Sequence, residues 1–374
     1  MDFSYSDEQK LIKEQIEKFV QNDYSFETRN KILATDEGFD RAIWKQFAEL
    51  GWLGVSFSEE DGGFGGGAIE TSVVMEAFGG GMVVEPYLSS IVLSGNALAF
   101  AGSSEQKAEL LSAIISGELL MSVAYAEAKS GYNLANVGTS AKKAGDAYTV
   151  SGEKVVVLGG ESADKLIVSA RTSGNTSDKD GISLFVVDAK AAGVEVRGYK
   201  TMDGARAANV SFSDAPAELL GEEGKGFDVL ERVIDHGIVA SCAQAIGEMN
   251  ASFQKTLEYV KVREQFGKAI GSFQVIQHRL VDMFTHVESS RSMLIMSSMK
   301  VASEDVVDRR KAVSGAKVYI GDAARAVGQD AVQLHGGIGM TEELDIGHYF
   351  RRLTLFCSIF GSTGYHLRRF ADQG

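Results

Sequence analysis

Lys261-Val-Arg-Glu-Gln-Phe-Gly-Lys-Ala-Ile-Gly-Ser-Phe-Gln274 stands between two helical patterns in the C-terminal part of the chain. Upstream of it, Ile246, Met249, Phe253, Leu257 and Val260 step by 3, 4, 4 and 3, which is one face of an amphipathic helix. Downstream, Ile276, Leu280, Met283 and Val287 repeat the pattern, and so do Val313, Ala316, Ile320, Ala323 and Val327. A second break, Val332-Gln-Leu-His-Gly-Gly-Ile-Gly-Met-Thr341, closes the third long pattern. With a fourth helix after about residue 341, residues 226–374 are expected to form an antiparallel four-helix bundle.

Before the bundle the period changes. Ala147-Tyr-Thr-Val-Ser-Gly152, Lys165-Leu-Ile-Val-Ser-Ala-Arg171 and Ile182-Ser-Leu-Phe-Val-Val187 are short runs rich in β-branched residues, separated by polar turns. Val194-Glu-Val196 and Asn209-Val-Ser-Phe-Ser213 continue them, so residues 119–225 are expected to form an antiparallel β-sandwich or barrel. Residues 1–118 read as helical. There Ser6 and Gln9 have capping-box spacing, and Leu11, Ile12, Ile16, Phe19 and Val20 share one face. Asp61-Gly-Gly-Phe-Gly-Gly-Gly67 and Gly79-Gly-Gly81 read as breaks, since such glycine density offers no helix propensity. The expected class is α+β, mostly α: a helical domain, a β-domain, then a bundle.

Composition narrows the function classes. The chain has 374 residues, suggesting two or three domains on a prior of roughly 150 residues each. Its net charge of −14 argues against a general nucleic-acid binder, which needs a basic surface to displace counterions. The two cysteines, Cys242 and Cys357, cannot build a disulfide framework, so a reducing compartment is expected. The start, Met-Asp-Phe-Ser-Tyr-Ser, lacks a signal peptide's basic and apolar regions, and no apolar run is long enough to span a membrane. A cytoplasmic protein is the expectation.

Each of the two breaks in the bundle admits two readings. Arg263 at a helix end can simply complement the helix dipole, or its planar fork can grip a phosphate. Gly336 and Gly337 can end a helix, or let a ligand approach the backbone closely. His335 reads as structural; no second His, Cys or carboxylate gives it metal-ligand spacing, and no metal is expected.

Together, in this domain order, Arg-x-x-Phe-Gly, Phe-Gln and then Gln-x-x-Gly-Gly-x-Gly about 60 residues on resemble the acyl-CoA dehydrogenase family. The resemblance covers the whole chain. Leu50-Gly-Trp-Leu-Gly-Val55 and Asp61-Gly-Gly63 look like the family's N-terminal domain. Gly145-Asp-Ala-Tyr-Thr-Val-Ser-Gly-Glu-Lys154 and Ala163-Asp-Lys-Leu-Ile-Val-Ser-Ala-Arg171 look like its middle domain. Leu219-Leu-Gly-Glu-Glu-Gly-Lys-Gly-Phe227 looks like the passage into the bundle. Within the family the chain looks most like the small subunits associated with pimeloyl-CoA or steroid side-chain substrates.

The resemblance implies an FAD-dependent oxidoreductase that converts an acyl-CoA thioester to the trans-2-enoyl-CoA, in fatty acid or steroid side-chain degradation. A carboxylate removes the α-proton, hydrogen bonds to the thioester carbonyl stabilise the developing enolate, and electrons pass on to an electron-transfer flavoprotein. In the family the two bundle motifs reach across a subunit interface to a neighbour's FAD. Carried over, they imply that Arg263, Phe266, Gly267, Gln274, Gln333, Leu334, Gly336, Gly337 and Gly339 bind the cofactor. A homo- or hetero-tetramer is implied with them.

Elsewhere the chain departs from the family's pattern. Thr-Glu-Pro-x-Ala-Gly-Ser-Asp appears as Ala126-Glu-Ala-Lys-Ser-Gly-Tyr-Asn133, and Lys-x-Trp-Ile-Thr appears as Lys154-Val-Val-Val-Leu158. The hydroxyls at 126 and 158, and the Trp at 156, are therefore lost. The usual catalytic Glu falls at Gly361, the alternative one at Gly237, and the Arg that follows the latter at Ile238. Asp235 lies two residues from Gly237, about 200° round a helix, so it is expected to face solvent or the CoA rather than act as base. No base is assignable. Three readings stay open: a subunit needing a homologous partner's base, an independent homo-oligomeric dehydrogenase with an unrecognised base, and a non-catalytic acyl-CoA-binding or structural subunit.

Overall fold

The computed structural model describes residues 5–145 and 147–373; Met1–Ser4, Asp146 in the 145–154 run and Gly374 lie outside the described residues. Along the chain come α1 (Asp7–Asp23), α2 (Phe26–Leu33), α3 (Arg41–Glu49) and α4 (Ala68–Gly80), then the short α5 (Asn96–Ala101), α6 (Ser104–Gln106) and α7 (Ser112–Ile115). Seven strands follow, β1 (Met121–Ala124), β2 (Ser140–Ala144), β3 (Ala147–Leu158), β4 (Lys165–Arg171), β5 (Ile182–Asp188), β6 (Val194–Lys200) and β7 (Arg206–Leu220). The long helix α8 (Gly226–Val262), the hairpin β8 (Glu264–Gln265) with β9 (Lys268–Ala269), α9 (Gln274–Lys300), α10 (Val306–His335), α11 (Asp345–Phe356) and α12 (Thr363–Ala371) complete it. Two compact units divide these elements: Ile32–Gly67 with Val84–Gly237, and Met1–Lys31 with Ala68–Val83 and Ile238–Gly374.

The β-unit is a closed barrel. β4 pairs with β2, β2 with β3, β3 with β7, β7 with β5, and β5 returns to β4. Closure leaves no free edge along that cycle. β1 adds to β4 in parallel, and β6 adds to β7 antiparallel. The sheet is thus antiparallel apart from the β1–β4 and β2–β4 pairings. β1 and β2 were not among the expected strands: Met121-Ser-Val-Ala124 is too short to show a period, and Ser140-Ala-Lys-Lys-Ala144 carries little apolar weight. Val150, Leu166, Val168, Phe185 and Val210 are fully buried in the barrel core, each contributing roughly 1.5–3 kcal/mol on burial. β3 and β7 slip register twice, between Val150 and Gly152 and between Lys154 and Val157.

In the helical unit the Ser6–Gln9 capping box forms as expected, with Gln9 N–H donating to Ser6 Oγ at 3.2 Å and Ser6 N–H to Gln9 Oε1 at 2.9 Å. Ile16 and Phe19 are buried, whereas Leu11 is exposed. The expected break at Gly79–Gly81 falls one or two residues later, because Gly79 and Gly80 continue α4. The glycine at 79 has another cause: a Cβ there would collide with the Gln244 carbonyl of α8, and one at Gly247 with the Glu76 carbonyl of α4. Two helices that cross backbone against backbone have no room for side chains at the crossing. Nearby, Arg352 is buried and pairs with Glu248 at 2.7 Å, donating also to the Met82 and Val83 carbonyls at 2.9 and 3.2 Å.

The bundle's apolar steps are those read from the sequence: Val313, Ala316, Ile320, Ala323 and Val327 of α10 are all buried, as are Met283 and Val287 of α9. The fourth helix, however, is two helices. α11 stops at Phe356 and α12 starts at Thr363, with Phe360 and Gly361 between them at φ of 59° and 129°.

Candidate functional site

At the end of α8 the chain turns through the β8–β9 hairpin, in which Glu264 pairs with Ala269 and Gln265 with Lys268. Phe266 and Gly267 form its tip with φ of 57° and 78°. Two successive positive φ values suit a tight hairpin, and Gly267 takes its place without strain. Phe266 does not, since a bulky residue there is a rare outlier. Its ring is nevertheless 92% exposed, meeting the edge of Phe273 at 6.2 Å between centroids. A strained backbone presenting an uncovered aromatic ring has no explanation in this chain's own packing. Arg263 beside it is exposed and forms no ion pair among the described residues. Gln274, which opens α9, is exposed as well.

The end of α10 lies against this segment. His335 stacks on Tyr259 of α8 with centroids 4.3 Å apart and planes at 23°, and its Nδ1 lies 2.8 Å from the Ala331 carbonyl. Burial pushes its pKa down, against the pull of the Ala331 hydrogen bond, and so favours the neutral ring. The stack ties the Arg263 segment to the Gln333 segment. Gln333 is exposed. Gly336 ends α10 at φ 65°, ψ −145°, a conformation that itself calls for glycine. Gly339 is buried, and a Cβ there would press on His335 Cβ and the Val332 carbonyl at 3.0 Å. Gly337 differs from both: its φ is not positive, and a Cβ would meet nothing within 4 Å. Nothing in this chain's fold requires glycine at 337. Leu334, expected among the cofactor-binding residues, is buried, so only its backbone is available to a ligand.

On the barrel, Lys154 is wholly buried and its Nζ lies 2.8 Å from Glu127 Oε1, 3.1 Å from Ser169 Oγ and 3.3 Å from the Tyr125 carbonyl. Burial lowers the Lys154 pKa to about 8 against the pull of Glu127. Burial also works against ionised Glu127, but the Lys154 charge and the Thr139 and Gly138 amides outweigh it and hold the carboxyl low. This ion pair was not singled out from the sequence, although both residues lie in quoted motifs. Two residues on from Lys154, Val156 sits in the second register slip with φ 54° and is half exposed. A β-branched residue in that region is an outlier, and no sequence signal could have found it. Its N–H donates to Asn209 Oδ1 at 3.3 Å. The strained backbone here presents a branched aliphatic side chain and no aromatic ring.

The two positions expected for a base are both buried glycines. Gly237 lies within α8, and Gly361 lies in the α11–α12 connection. Asp235 has no exposed surface, so the solvated role expected for it is excluded; water is not there to carry its charge. Among the described residues, no helix is long and apolar enough to cross a membrane.

The chain matches, over residues 6–118, 122–215 and 224–374, the families described as acyl-CoA dehydrogenase N-terminal, middle and C-terminal domains. It is 30% identical over 359 residues to a probable acyl-CoA dehydrogenase of Bacillus subtilis, YngJ, covering 94% of this chain and 93% of that one. Among solved structures it resembles the ChsE4–ChsE5 complex from Mycobacterium tuberculosis, with TM-score 0.90 and 27% identity over 100% of this chain and 98% of that one. Butyryl-CoA dehydrogenase from Megasphaera elsdenii is similar at TM-score 0.89 and 26% identity, over 100% and 99% of the two chains. The chain belongs to the acyl-CoA dehydrogenase family, whose members are FAD-dependent oxidoreductases. The ends of α8 and α10 offer the kinds of group a dinucleotide such as FAD would use: a guanidinium with no ion pair among the described residues, an uncovered ring and open space at Gly337. On the barrel the side-chain groups are fewer, with Ala126, Val156 and Leu158 offering no hydroxyl or ring.

Proposed function

We propose that this chain is the base-lacking subunit of a heteromeric acyl-CoA dehydrogenase, acting in the conversion of an acyl-CoA thioester to the trans-2-enoyl-CoA. The observation that carries this reading is Gly361, buried at φ 129° where a relative's carboxylate would stand, in a chain that keeps its outward cofactor rim. Glycine cannot remove a proton. The homologous partner supplies the base, and this chain completes the partner's cofactor site with Arg263, Phe266, Gly267, Gln274, Gln333, the Leu334 backbone, Gly336, Gly337 and Gly339. FAD, when bound, provides the two-electron acceptor. The rim residues do no chemistry of their own: they place the dinucleotide, Arg263 by charge and fork geometry, Gly337 by letting it approach the backbone. Asp235 is assigned to the substrate side as a positioning group.

A solved relative consisting of two named components, the ChsE4–ChsE5 complex, supports the heteromeric reading. An electron-transfer flavoprotein is the proposed electron outlet, a hetero-tetramer the proposed assembly, and 1–118, 119–225 and 226–374 the proposed domain division. Two unpaired thiols, with Cys242 buried, accord with a cytoplasmic location. The test is purification of the chain alone and with a homologous partner, followed by anaerobic mixing with acyl-CoAs. Flavin bleaching is expected only with the pair. A yellow, active oligomer of the lone chain overturns the reading, and a pair that holds no flavin reduces it to a structural role.

A further inference from the structure

The connection between α11 and α12 is held from two sides by α10. Ser314 and Lys317 stand three residues apart on that helix and so share a face. Lys317 is buried, donates to the Phe356 carbonyl at 2.5 Å and lies 3.4 Å from the centroid of the Phe356 ring. It has no carboxylate partner among the described residues, and burial pushes its pKa down to about 8. A cation on the last carbonyl of α11 satisfies the end of that helix. His366 of α12 is wholly buried, with Nε2 3.1 Å from the Phe360 carbonyl and Nδ1 3.3 Å from Ser314 Oγ. The carbonyl only accepts, so Nε2 carries the hydrogen and Nδ1 accepts from Ser314. Both ring nitrogens are thus engaged.

Gly361 lies under this ring. A Cβ at 361 would stand 2.5 Å from His366 Nε2, 2.6 Å from Tyr365 Cδ1 and 2.9 Å from His366 Cδ2. Real side chains do not approach so closely, and the ring cannot swing aside without abandoning two buried hydrogen bonds. The backbone excludes a side chain independently, because φ at 361 is 129°.

We infer that the His366 ring, with Tyr365 beside it, bars a side chain from position 361, and that Lys317 and Ser314 lock His366 and the Phe356–Gly361 connection in that form. The loss of a carboxylate at 361 is then built into the packing of three helices rather than confined to one codon. A single Gly361→Glu change does not re-arm the chain. This deepens the proposed reading and rests on it for the meaning of position 361, but its physical content is a coupling between residues 361 and 366.

The experiment is a double-mutant cycle on the full chain, with its partner if one is required, read by thermal midpoint for Gly361→Ala, His366→Ala and both together. Gly361→Ala is expected to lower the midpoint by about 5 °C. The double variant is expected to lose clearly less than the sum of the two single losses, since removing the His366 ring relieves two of the three closest contacts of the added methyl group, while the Tyr365 contact and the positive φ remain. Hydrogen exchange at residues 356–361 is expected to quicken in Lys317→Met. Additive losses in the cycle, or a Gly361→Glu chain as stable as the parent, overturn the inference. Turnover by the unmodified lone chain sinks the proposed reading instead and leaves the cycle untouched, so the two failures are distinguishable.

Discussion

The rim formed by the ends of α8 and α10 and the connection between α11 and α12 both carry glycines and positive φ values, for opposite reasons. At the rim, Phe266 is strained and uncovered, Arg263 forms no ion pair among the described residues, and Gly337 faces open space. None of these choices helps the chain fold. In the connection, Phe360 and Gly361 are strained and buried, and Lys317, Ser314 and both His366 ring nitrogens have partners inside the same unit. Residues without an internal use point to a partner outside the chain, whereas residues with a complete internal account do not.

That contrast can be broken first in acid. His366 is held neutral by burial and by Lys317 and Arg369, its pKa lowered from 6.5 to about 3. Between those values the unfolded chain binds a proton that the folded chain refuses, so stability rises with pH across the window and is lost as pH falls through it. The loss is expected to reach a few kcal/mol. Denaturant unfolding at a series of pH values should show this slope in the parent and lose much of it in His366→Ala; equal slopes would place the neutral histidine elsewhere.

The rim should respond in the cofactor and not in stability. Arg263→Ala is expected to weaken FAD binding in the assembled complex by about 10–100-fold, the worth of one charged hydrogen bond, with no change in thermal midpoint. If the midpoint falls and FAD affinity stays, Arg263 is only a helix-end residue. Smaller still is a paired test at the neighbouring glycines. Gly337→Ala is expected to cost FAD affinity about tenfold and stability almost nothing, while Gly336→Ala costs stability by about 1 kcal/mol through its φ of 65°. The same result at both positions would remove the case for a ligand at 337. The smallest effect is at Tyr259, whose ring carries His335: Tyr259→Leu is expected to lose about 0.5–1.5 kcal/mol of stacking and a few-fold in FAD affinity, with Tyr259→Phe close to the parent.

Residue types in order were enough for the helices of the bundle, the barrel's main strands, the Ser6–Gln9 cap and both rim motifs, because each depends on neighbours within a few residues. Period tells which face of a helix is buried. It does not tell what lies opposite, and there the tertiary structure decided. Gly79 read as a break in the sequence, and it and Gly247 are glycines because α4 and α8 touch backbone to backbone. Val156 has a residue type that argues against its own conformation. Asp235, expected to face solvent or the CoA, has no exposed surface, and the fourth bundle helix is split where Lys317 and His366, 39 and 6 residues from their carbonyl partners, hold the chain. The sequence alone marked Gly361 as a position without a base. Only the fold shows why no side chain fits there, since that depends on a ring and a helix brought to it through space.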